Sequence, residues 1–531
     1  MKPNQLKRWS TILLVSIIIL AGCVFIAGIV LSKNASGYLR NSLKKSLPTH
    51  VSVDFDTCEV NLFSRSIIIK NVKGSIHNKL DASIHHSVEI DKLSLSGIHI
   101  LSFLLNKEIE INNILFDTIN LALSKELLYN SDSTFIKQSD QNRTQDFKSL
   151  TIDNFKINKL NLKVAGDSTK EIEAKIELKL ADIKIQSFER LKETLHFELQ
   201  ESKVSDILIT PDTSFYNFSV KSIEVDNSQN IIIDSIKVIP RYAKYDFGKR
   251  AGKQIDRLQA IIPELKINHI HTSSLYESMF HISSLYINDP TLIAFRDKRQ
   301  PFIKDKKVPL PIDLIRKFPY KFSIDTINLL SASITYEEFP VEGDSSGSVR
   351  FENLNASIFN LTNDTTSIID HVDLDVETTF MNTGLLKASF DLPLRKGKRY
   401  TANGSLSGFP LPELNPAVEP LAKMRIESGA MKLLSFQFTY DDLSSLGEVE
   451  MNYENLKILS LKEKEKKTIV DKLKTFLINT FIAKNKNENT PEENRKGTIE
   501  FTRDPKRSIF NYWWKSLFTG VKDCYGIGKA L

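Results

Sequence analysis

The sequence is poor in the residues that break regular structure and in those that bind metals or carry redox chemistry. It has 3 cysteines, 20 glycines and 18 prolines in 531 residues, and the last two counts lie below the average usage of about 7% and about 5%. Few glycines and prolines favour long, regular strands over tight enzyme loops. The spacings of Cys23, Cys58 and Cys524 match no zinc or redox motif. A Cys58–Cys524 disulfide would suit an oxidising compartment, but nothing in the sequence requires it.

No excess of one charge is present. The 71 basic and 65 acidic residues give a net charge of +6 and are interspersed along the chain. A nucleic-acid-binding surface would concentrate basic residues on one face or in one run. We therefore expect no nucleic-acid partner.

Motifs for catalysis are also scarce. We find no HExxH, no CxxC and no GxxxxGK[ST] stretch. His269 and His271 share a predicted strand face with His281 nearby, but no cysteine or clear carboxylate partner supports a metal site. The pair His85 and His86 lies in a polar stretch. The sequence therefore predicts no catalytic, cofactor-binding or metal-binding residue, and no enzyme.

One long hydrophobic run is present near the start of the chain. Residues Thr11 to Leu31 carry no charge and are preceded by Lys7, Arg8 and Trp9. At about 1.5 Å per residue a helix of this length spans about 30 Å, the thickness of a bilayer core. The run predicts a membrane anchor with a short cytoplasmic head, over residues 1–33.

Two interpretations of this anchor remain open. An uncleaved signal anchor fits the apolar run that continues to Leu31. The alternative is a lipoprotein, because Leu20-Ala21-Gly22-Cys23 fits a lipobox in which Cys23 is lipidated. Both place the remainder of the chain on a membrane.

Beyond the anchor, alternation of apolar and polar residues predicts strands with one buried face. Ile172, Ala174, Ile176, Leu178 and Leu180 alternate with charged residues from Glu171 to Lys179. Such a strand has one apolar and one charged face, so the sheet must cover or use the apolar one. As lining of an apolar groove we single out Ile172, Ile176, Leu178, Ile183 and Ile185.

A short pattern recurs in which apolar residues occupy positions 1, 4 and 6, with Asn, Asp or another small residue between the first two. It begins at Ile90, Ile111, Ile152, Ile233, Ile324 and Tyr453. A spacing of three would reverse the buried face of a flat strand. Two interpretations fit: a β-bulge inside a continuous strand restores the face, or a turn separates two short strands.

Helices are predicted in four places. A short connecting turn is expected at residues Ser102–Lys107 and longer helices at Tyr245–Leu265 and Lys462–Lys484, from their apolar spacing. Polar stretches at Ser131–Gln145 and Asn485–Arg495 predict loops.

The fourth helix is expected in the aromatic and basic segment Ser508–Leu531. Ile509, Trp513 and Leu517 fall on one stripe, with Phe510, Trp514 and Phe518 beside it. This helix either caps the end of the sheet or meets a membrane interface through Trp513, Trp514 and Phe518.

The chain resembles the AsmA-like family of bacterial proteins, in particular those of the Bacteroidota. The N-terminal resemblance covers the anchor, residues 51–72 and residues 90–123. The C-terminal resemblance is carried by the stretches beginning at Gly384, Leu414, Ile426 and Gly447. Together these stretches cover most of the chain, and their order and spacing carry the resemblance.

The resemblance implies a mostly β protein, with an N-terminal transmembrane helix followed by a long, curved, repetitive antiparallel β-sheet that forms an apolar groove, and a few short helices. It implies a periplasmic β region over residues 34–320, an AsmA-like β region over 321–505 and a terminal helix over 506–531. Relatives are implicated in phospholipid transport from the inner to the outer membrane, so phospholipid, the membrane and a periplasmic or outer-membrane protein are the expected partners. The alternatives are a non-enzymatic scaffold for outer-membrane protein assembly and an unrecognised hydrolase.

Overall fold

The computed structural model describes most of the chain beyond the predicted anchor. The described residues are 35–47, 51–61, 63–77, 85–124, 148–165, 171–186, 195–210, 215–226, 228, 230–270, 279–302, 307–364, 371–395, 397–461 and 495–524. The predicted anchor Thr11–Leu31 with Cys23, the helix at 462–484 and the loop at 131–145 lie outside them. So does the loop predicted at 485–495, except for Arg495, which begins a strand. The chain divides into two compact units, Met1–Asp234 and Ser235–Leu531. The boundary between the two units, at 234/235, lies earlier in the chain than the boundary at 320/321 expected from the sequence.

The described part of the N-terminal unit is built from strands, with two short helices. Its helices are α1 (Ala35–Ser46) and α2 (Ile100–Asn106), and its strands are β1 (Val51–Asp54), β2 (Thr57–Asn61), β3 (Ser66–His77), β4 (His85–Ile98), β5 (Glu108–Ser124), β6 (Ser149–Ala165), β7 (Glu171–Ile185), β8 (Leu195–Leu199), β9 (Ser202–Thr210) and β10 (Tyr216–Val225). A further strand, β11 (Ile231–Pro240), crosses the boundary between the units. The turn predicted at 102–107 is confirmed as part of α2.

The described part of the C-terminal unit has the same character. Its strands are β12 (Asp256–Ile270), β13 (Met279–Asn288), β14 (Thr291–Asp297), β15 (Lys321–Phe339), β16 (Gly347–Thr362), β17 (His371–Phe380), β18 (Gly384–Pro393), β19 (Tyr400–Pro410), β20 (Met424–Tyr440), β21 (Ser444–Ser460) and β22 (Arg495–Thr502). Its helices are α3 (Lys244–Ala251), α4 (Pro311–Arg316), α5 (Asn415–Ala422) and α6 (Ile509–Cys524), with a 3-10 turn at Leu411–Leu414. The prediction of a mostly β chain with a few short helices is confirmed for the described residues.

The expectation of an antiparallel sheet is wrong in both units, because each contains parallel pairs. In the N-terminal unit β5 and β6 run parallel. In the C-terminal unit β13 and β14 follow one another in line, separated by Asp289 and Pro290. Both strands pair with β12 on one side, antiparallel, and with β15 on the other side, parallel. The sheets are therefore mixed.

The helix predicted at Tyr245–Leu265 is also wrong beyond its first turns. Helix α3 ends at Ala251, where Gly252 adopts a left-handed conformation with φ of 65°. Residues 256–261 then pair with β14 and residues 264–270 with β13. Pro263 lies between these two pairings.

The recurring 1-4-6 pattern lies inside continuous strands and not at turns between short strands. At the Tyr453 copy the register shifts, as at a β-bulge, whereas at the Ile111 copy the neighbouring strands stay in register. Ile111, Ile114 and Phe116 are buried along β5, as are Ile152, Phe155 and Ile157 along β6. The same holds for the copies beginning at Ile90 and at Tyr453. Asn455, inside the last copy, adopts φ of 53°, the left-handed conformation that Asn tolerates. The slip therefore keeps successive apolar residues on one face.

In the N-terminal unit these slips are aligned across neighbouring strands. The register places Gly97 of β4 opposite Asn112 of β5, Asp153 of β6 beside Asn112, and Asp182 of β7 opposite Asp153. Gly97 and Asp182 have φ of 69° and 48°. A second row includes Asp117 and Asn158, whose side-chain amide donates to the Asp117 carboxylate at 3.2 Å. Because each slip is matched in the next strand, pairing continues on both sides of the row.

The core of the N-terminal unit lies on the apolar face of β3 to β7. Phe116 is fully buried and contacts Phe155, with ring centroids 5.6 Å apart. Helix α1 contributes Leu39 and Leu43 to the same core. Ser36 and Arg40 of α1 hydrogen-bond the Cys58 backbone and the Asp54 carboxylate, at 2.9 Å each.

Candidate functional site

Apolar side chains form two continuous rows across six strands of the C-terminal unit, in the order β12, β13, β15, β16, β17 and β18. The first row consists of Leu265, Ile287, Leu329, Ala356, Val376 and Ala388, and the second of Ile267, Leu285, Ile327, Ile358, Leu374 and Phe390. Residues directly across a ladder share a face of the sheet. We call the stretch of these rows on β12 to β17 the open face.

The open face is only partly covered. Apart from Ala356, all of its side chains are half-buried rather than buried. The fully buried apolar residues near it form a small cluster of Ala332, Leu354 and Ala356. In a closed protein core most apolar side chains are inaccessible to solvent and closely packed. The partial exposure of the open face therefore distinguishes it from a closed core.

The same rows become a closed core further along the sheet. Ala402 of β19, Phe438 of β20 and Ile499 of β22 continue the second row and are almost inaccessible. Helix α6 covers this end: Tyr512 is buried, and Trp513 stacks on Phe390 with centroids 4.6 Å apart. The C-terminal unit thus has one covered and one open stretch of the same apolar face.

The interpretation of the terminal helix as a cap is confirmed for residues 509–524. Trp513 faces the core, whereas Trp514 and Phe518 face outward and are 58% and 37% exposed. The inward side consists of Ile509, Tyr512, Ser516, Gly520 and Cys524, all buried. The three residues proposed for a membrane interface are therefore split between two sides of the helix.

Close backbone approach fixes α6 on β22. A Cβ atom at Gly497 would overlap the Gly520 carbonyl oxygen and lie 2.7 Å from the Cys524 nitrogen. We expect Gly497→Ala to destabilise the C-terminal unit by about 1–3 kcal/mol, because the helix must shift outward. Pulsed alkylation read by peptide mass spectrometry should then label Cys524 faster. Thr498→Ala, on the exposed side of β22, is the control; equal labelling in both variants would contradict the close fit.

The N-terminal unit has an analogous transition along β7. Of the predicted lining residues, Ile183 and Ile185 are buried in the core, 7% and 1% exposed, whereas Ile172, Ile176 and Leu178 are half-buried. Ile172 pairs with Ile209 of β9, which pairs with Phe218 of β10. Ile209 and Phe218 are 37% and 36% exposed. The apolar face of this unit therefore opens from β7 towards β10.

The opposite face of these strands is charged and wet. Cross-strand ion pairs join Lys163 to Glu173, Lys175 to Asp206 and Lys203 to Glu224, at 3.5, 2.7 and 2.7 Å. Its hydrogen bond and the charge of Asp206 raise the pKa of Lys175, and the same contact lowers the pKa of Asp206. Both groups therefore stay ionised at neutral pH, which keeps this face in water.

A shallow depression of about 310 Å³ lies on the C-terminal unit, where the first row crosses β15 to β18. Its lining combines the apolar residues Leu329, Leu330, Ala356, Val376 and Ala388 with the polar residues Asn355, Ser357, Asp375, Glu377, Lys387 and Ser389. Lys387 pairs with Glu377 at 2.8 Å, and Ser389 donates to Asp375 at 2.7 Å. Since these charged groups already have partners, we assign no ligand to the depression.

Within the described residues, no group of three or more His, Cys, Asp or Glu side chains is suited to hold a metal ion. His281 pairs with Asp325 at 2.9 Å, His86 is buried in β4, and His271 lies outside the described residues. Cys58 and Cys524 are free thiols. Burial raises the pKa of each to about 11, so neither is a thiolate at neutral pH.

One stretch, from Gly343 to Gly347, has the GxSxG spacing of serine hydrolases. It lies between the end of β15 and the start of β16, and Ser345 is exposed. The nucleophile of an α/β-hydrolase sits on a strand-to-helix turn, whereas this turn joins two strands. The glycine at position 347 is explained by packing, since a Cβ atom there would lie 2.5 Å from Leu421 Cγ.

The open-face residues Leu285, Ile327 and Leu374 were not singled out from the sequence. The available signal was the 1-4-6 copy at Ile324, which contains Ile327. That copy predicts the face on which Ile327 lies, but exposure depends on what packs above the sheet.

Among the described residues, no helix combines the length and apolar composition needed to span a bilayer. Neither a protein-family model nor a curated protein sequence matches the chain.

Proposed function

We propose that the chain is a membrane-anchored, periplasmic AsmA-like protein that binds phospholipid and carries it passively between the inner and outer membranes. The observation that carries this proposal is the open face of the C-terminal unit, two apolar rows that lack the tight cover found over β19 to β22. The opening of the N-terminal unit from β7 towards β10 supports it. The sequence resemblance supplies the membranes and the class of lipid.

The dimensions suit an acyl chain. The five strands of the open face, about 4.8 Å apart, give rows about 19 Å long, which exceeds the ~15 Å depth of one leaflet of the hydrocarbon core. Each CH₂ group removed from water gains about 0.8 kcal/mol. A chain lying along Leu285, Ile327 and Leu374 would therefore be held without any polar contact, while its headgroup stays in water.

Movement along such rows needs no chemical step. On the open face the second row consists of Ile and Leu side chains alone, so shifting a chain by one strand along it exchanges equivalent contacts. Direction must come from a difference in lipid content between the two ends or from a partner. No residue is assigned a catalytic role.

The proposal is tested by site-specific photocrosslinking in the full chain in its own membrane. Benzoylphenylalanine at Ile327, on the open face, is expected to form phospholipid adducts that mass spectrometry detects. The matched control is benzoylphenylalanine at Asn328, the next residue of β15, whose side chain lies on the polar face and accepts from Ser357 at 3.2 Å. No adduct at Ile327 in a folded protein would contradict lipid binding and favour a scaffold role.

A further inference from the structure

The outward side of α6 is an aromatic stripe that lies outside the buried core cluster, although Phe510 touches the inward-facing Trp513 edge-on, with ring centroids 5.8 Å apart. Phe510, Trp514 and Phe518 recur every fourth residue and are 73%, 58% and 37% exposed. Trp514 and Phe518 stack with centroids 5.6 Å apart. The next residue at this spacing is Lys522, whose Nζ lies 5.4 Å from the Phe518 ring centroid. We call Phe510, Trp514 and Phe518 the outer stripe.

The segment around the outer stripe is basic. Residues 504–524 contain Lys506, Arg507, Lys515 and Lys522 but only two carboxylates, Asp504 and Asp523. Asp504 pairs with Arg507 at 3.7 Å, and Asp523 accepts from the Thr498 backbone N–H at 2.7 Å. The four basic residues still outnumber the two carboxylates, and Lys515 and Lys522 lie on the same helix as the exposed aromatic rings.

The helix is held without these rings. Its inward residues are buried, and Ser516 of α6 hydrogen-bonds Ser445 of β21 at 2.7 Å. Substitutions in the outer stripe should therefore leave α6 packed on the sheet. A loss of binding to another molecule in such a variant can then be distinguished from a loss of folding.

We propose that the outer stripe docks the C-terminal unit on the surface of a bilayer that contains anionic phospholipid. Trp and Phe favour the boundary between headgroups and acyl chains, and a basic flank is attracted to anionic headgroups. A protein partner fits less well, because stable interfaces use about 20–30 residues a side and the stripe offers three. A second copy of the chain would bring like charges together.

This docking goes beyond the proposed lipid carriage and does not depend on it. It places a membrane contact on the covered end of the C-terminal unit, whereas lipid binding concerns the open face. The two can therefore fail separately.

The test uses the full chain in phosphatidylcholine nanodiscs, immobilised on beads through the nanodisc scaffold protein. Fluorescent vesicles of phosphatidylcholine, with or without phosphatidylglycerol, are added and the captured fluorescence is measured. The first variant combines Phe510→Ser, Trp514→Ser and Phe518→Ser. Its matched control combines Leu433→Ser, Leu443→Ser and Leu446→Ser, three exposed apolar residues of the same unit. A third variant combines Lys515→Glu with Lys522→Glu.

The native chain and the leucine control are expected to capture vesicles that contain phosphatidylglycerol. The aromatic variant and the lysine variant should each capture less than about one tenth of the vesicles that the native chain captures. Added salt should reduce vesicle capture by the native chain, because it screens the attraction between the lysines and the anionic headgroups. Equal capture by the aromatic variant and its control overturns the proposal. The proposal is also overturned if the aromatic substitutions change the oligomeric state, measured by sedimentation, and leave vesicle capture unchanged. Photocrosslinking at Ile327 in the aromatic variant reports lipid binding independently.

Discussion

Phe116→Ala is expected to lower the free energy of unfolding of the N-terminal unit by about 3–5 kcal/mol, the usual cost of emptying a fully buried aromatic site. Phe116 is 0% exposed and lies between Leu93 of β4 and Ile157 of β6. Hydrogen exchange of β5 peptides, followed by mass spectrometry, measures this free energy as faster exchange of the core amides.

The matched control is Phe218→Ala, the same substitution on the apolar face of the same unit. Phe218 is 36% exposed, so we expect a loss below about 1.5 kcal/mol, because less area leaves water at this site on folding. An equal loss of unfolding free energy at the two sites would mean that β10 is as well covered as β5. This result would contradict the conclusion that the apolar face opens from β7 towards β10.

Ile327→Asp is expected to remove phospholipid from the open face while the unit stays folded. A carboxylate among acyl chains costs about 3 kcal/mol, which corresponds to roughly a hundredfold weaker binding. The substitution should be tolerated structurally because Ile327 is half-buried and a carboxylate there can still reach water. Benzoylphenylalanine at Leu285, its neighbour on β13, reports the loss as a missing phospholipid adduct.

Asn328→Asp introduces the same charge one residue away, on the polar face, and should leave the Leu285 adduct unchanged. An adduct that survives Ile327→Asp would show that lipid at Leu285 does not lie along the second row. Loss of the adduct in both variants would indicate a general disturbance of β15. Only loss confined to Ile327→Asp supports lipid lying along the row.

The sequence was sufficient to predict which residues of a strand face inward. In the 1-4-6 copies at Ile90, Ile111 and Ile152 each of the three apolar positions is buried. The reason is local: side chains alternate with a period of two, and an Asn or Asp can absorb the extra residue by a left-handed or bulged conformation. The choice between a bulge and a turn needed the pairing partners, since both use the same residue types.

The helix predicted over 245–265 shows where apolar spacing misleads. Phe247, Ala251, Ile255, Leu258 and Ile262 lie three or four residues apart, as on a helix face. Gly252 and Pro263 argued against a continuous helix, because glycine favours a helix end and proline lacks the N–H that a helix interior needs. Pairing of 256–270 with β13 and β14 then outweighed the local preference.

The extent of covering could not be predicted. Ile176 and Ile185 belong to the same strand and have the same side chain, yet Ile185 is 1% exposed and Ile176 is half-buried. The difference comes from what lies above each residue, and this depends on strand order. The parallel pairing of β5 with β6 was equally hidden, because alternation does not encode the direction of a neighbour.

The aligned slips of the N-terminal unit also bear on how such a chain can change in evolution. Deleting one residue at Asp153 would reverse the faces of half of β6 against two unchanged neighbours, placing Leu150 and Ile152 on the charged side. Adding or losing a whole hairpin that carries the same slip would leave every remaining pair in phase. Length variation in relatives is therefore expected in steps of strand pairs, with single-residue insertions confined to the connections between strands.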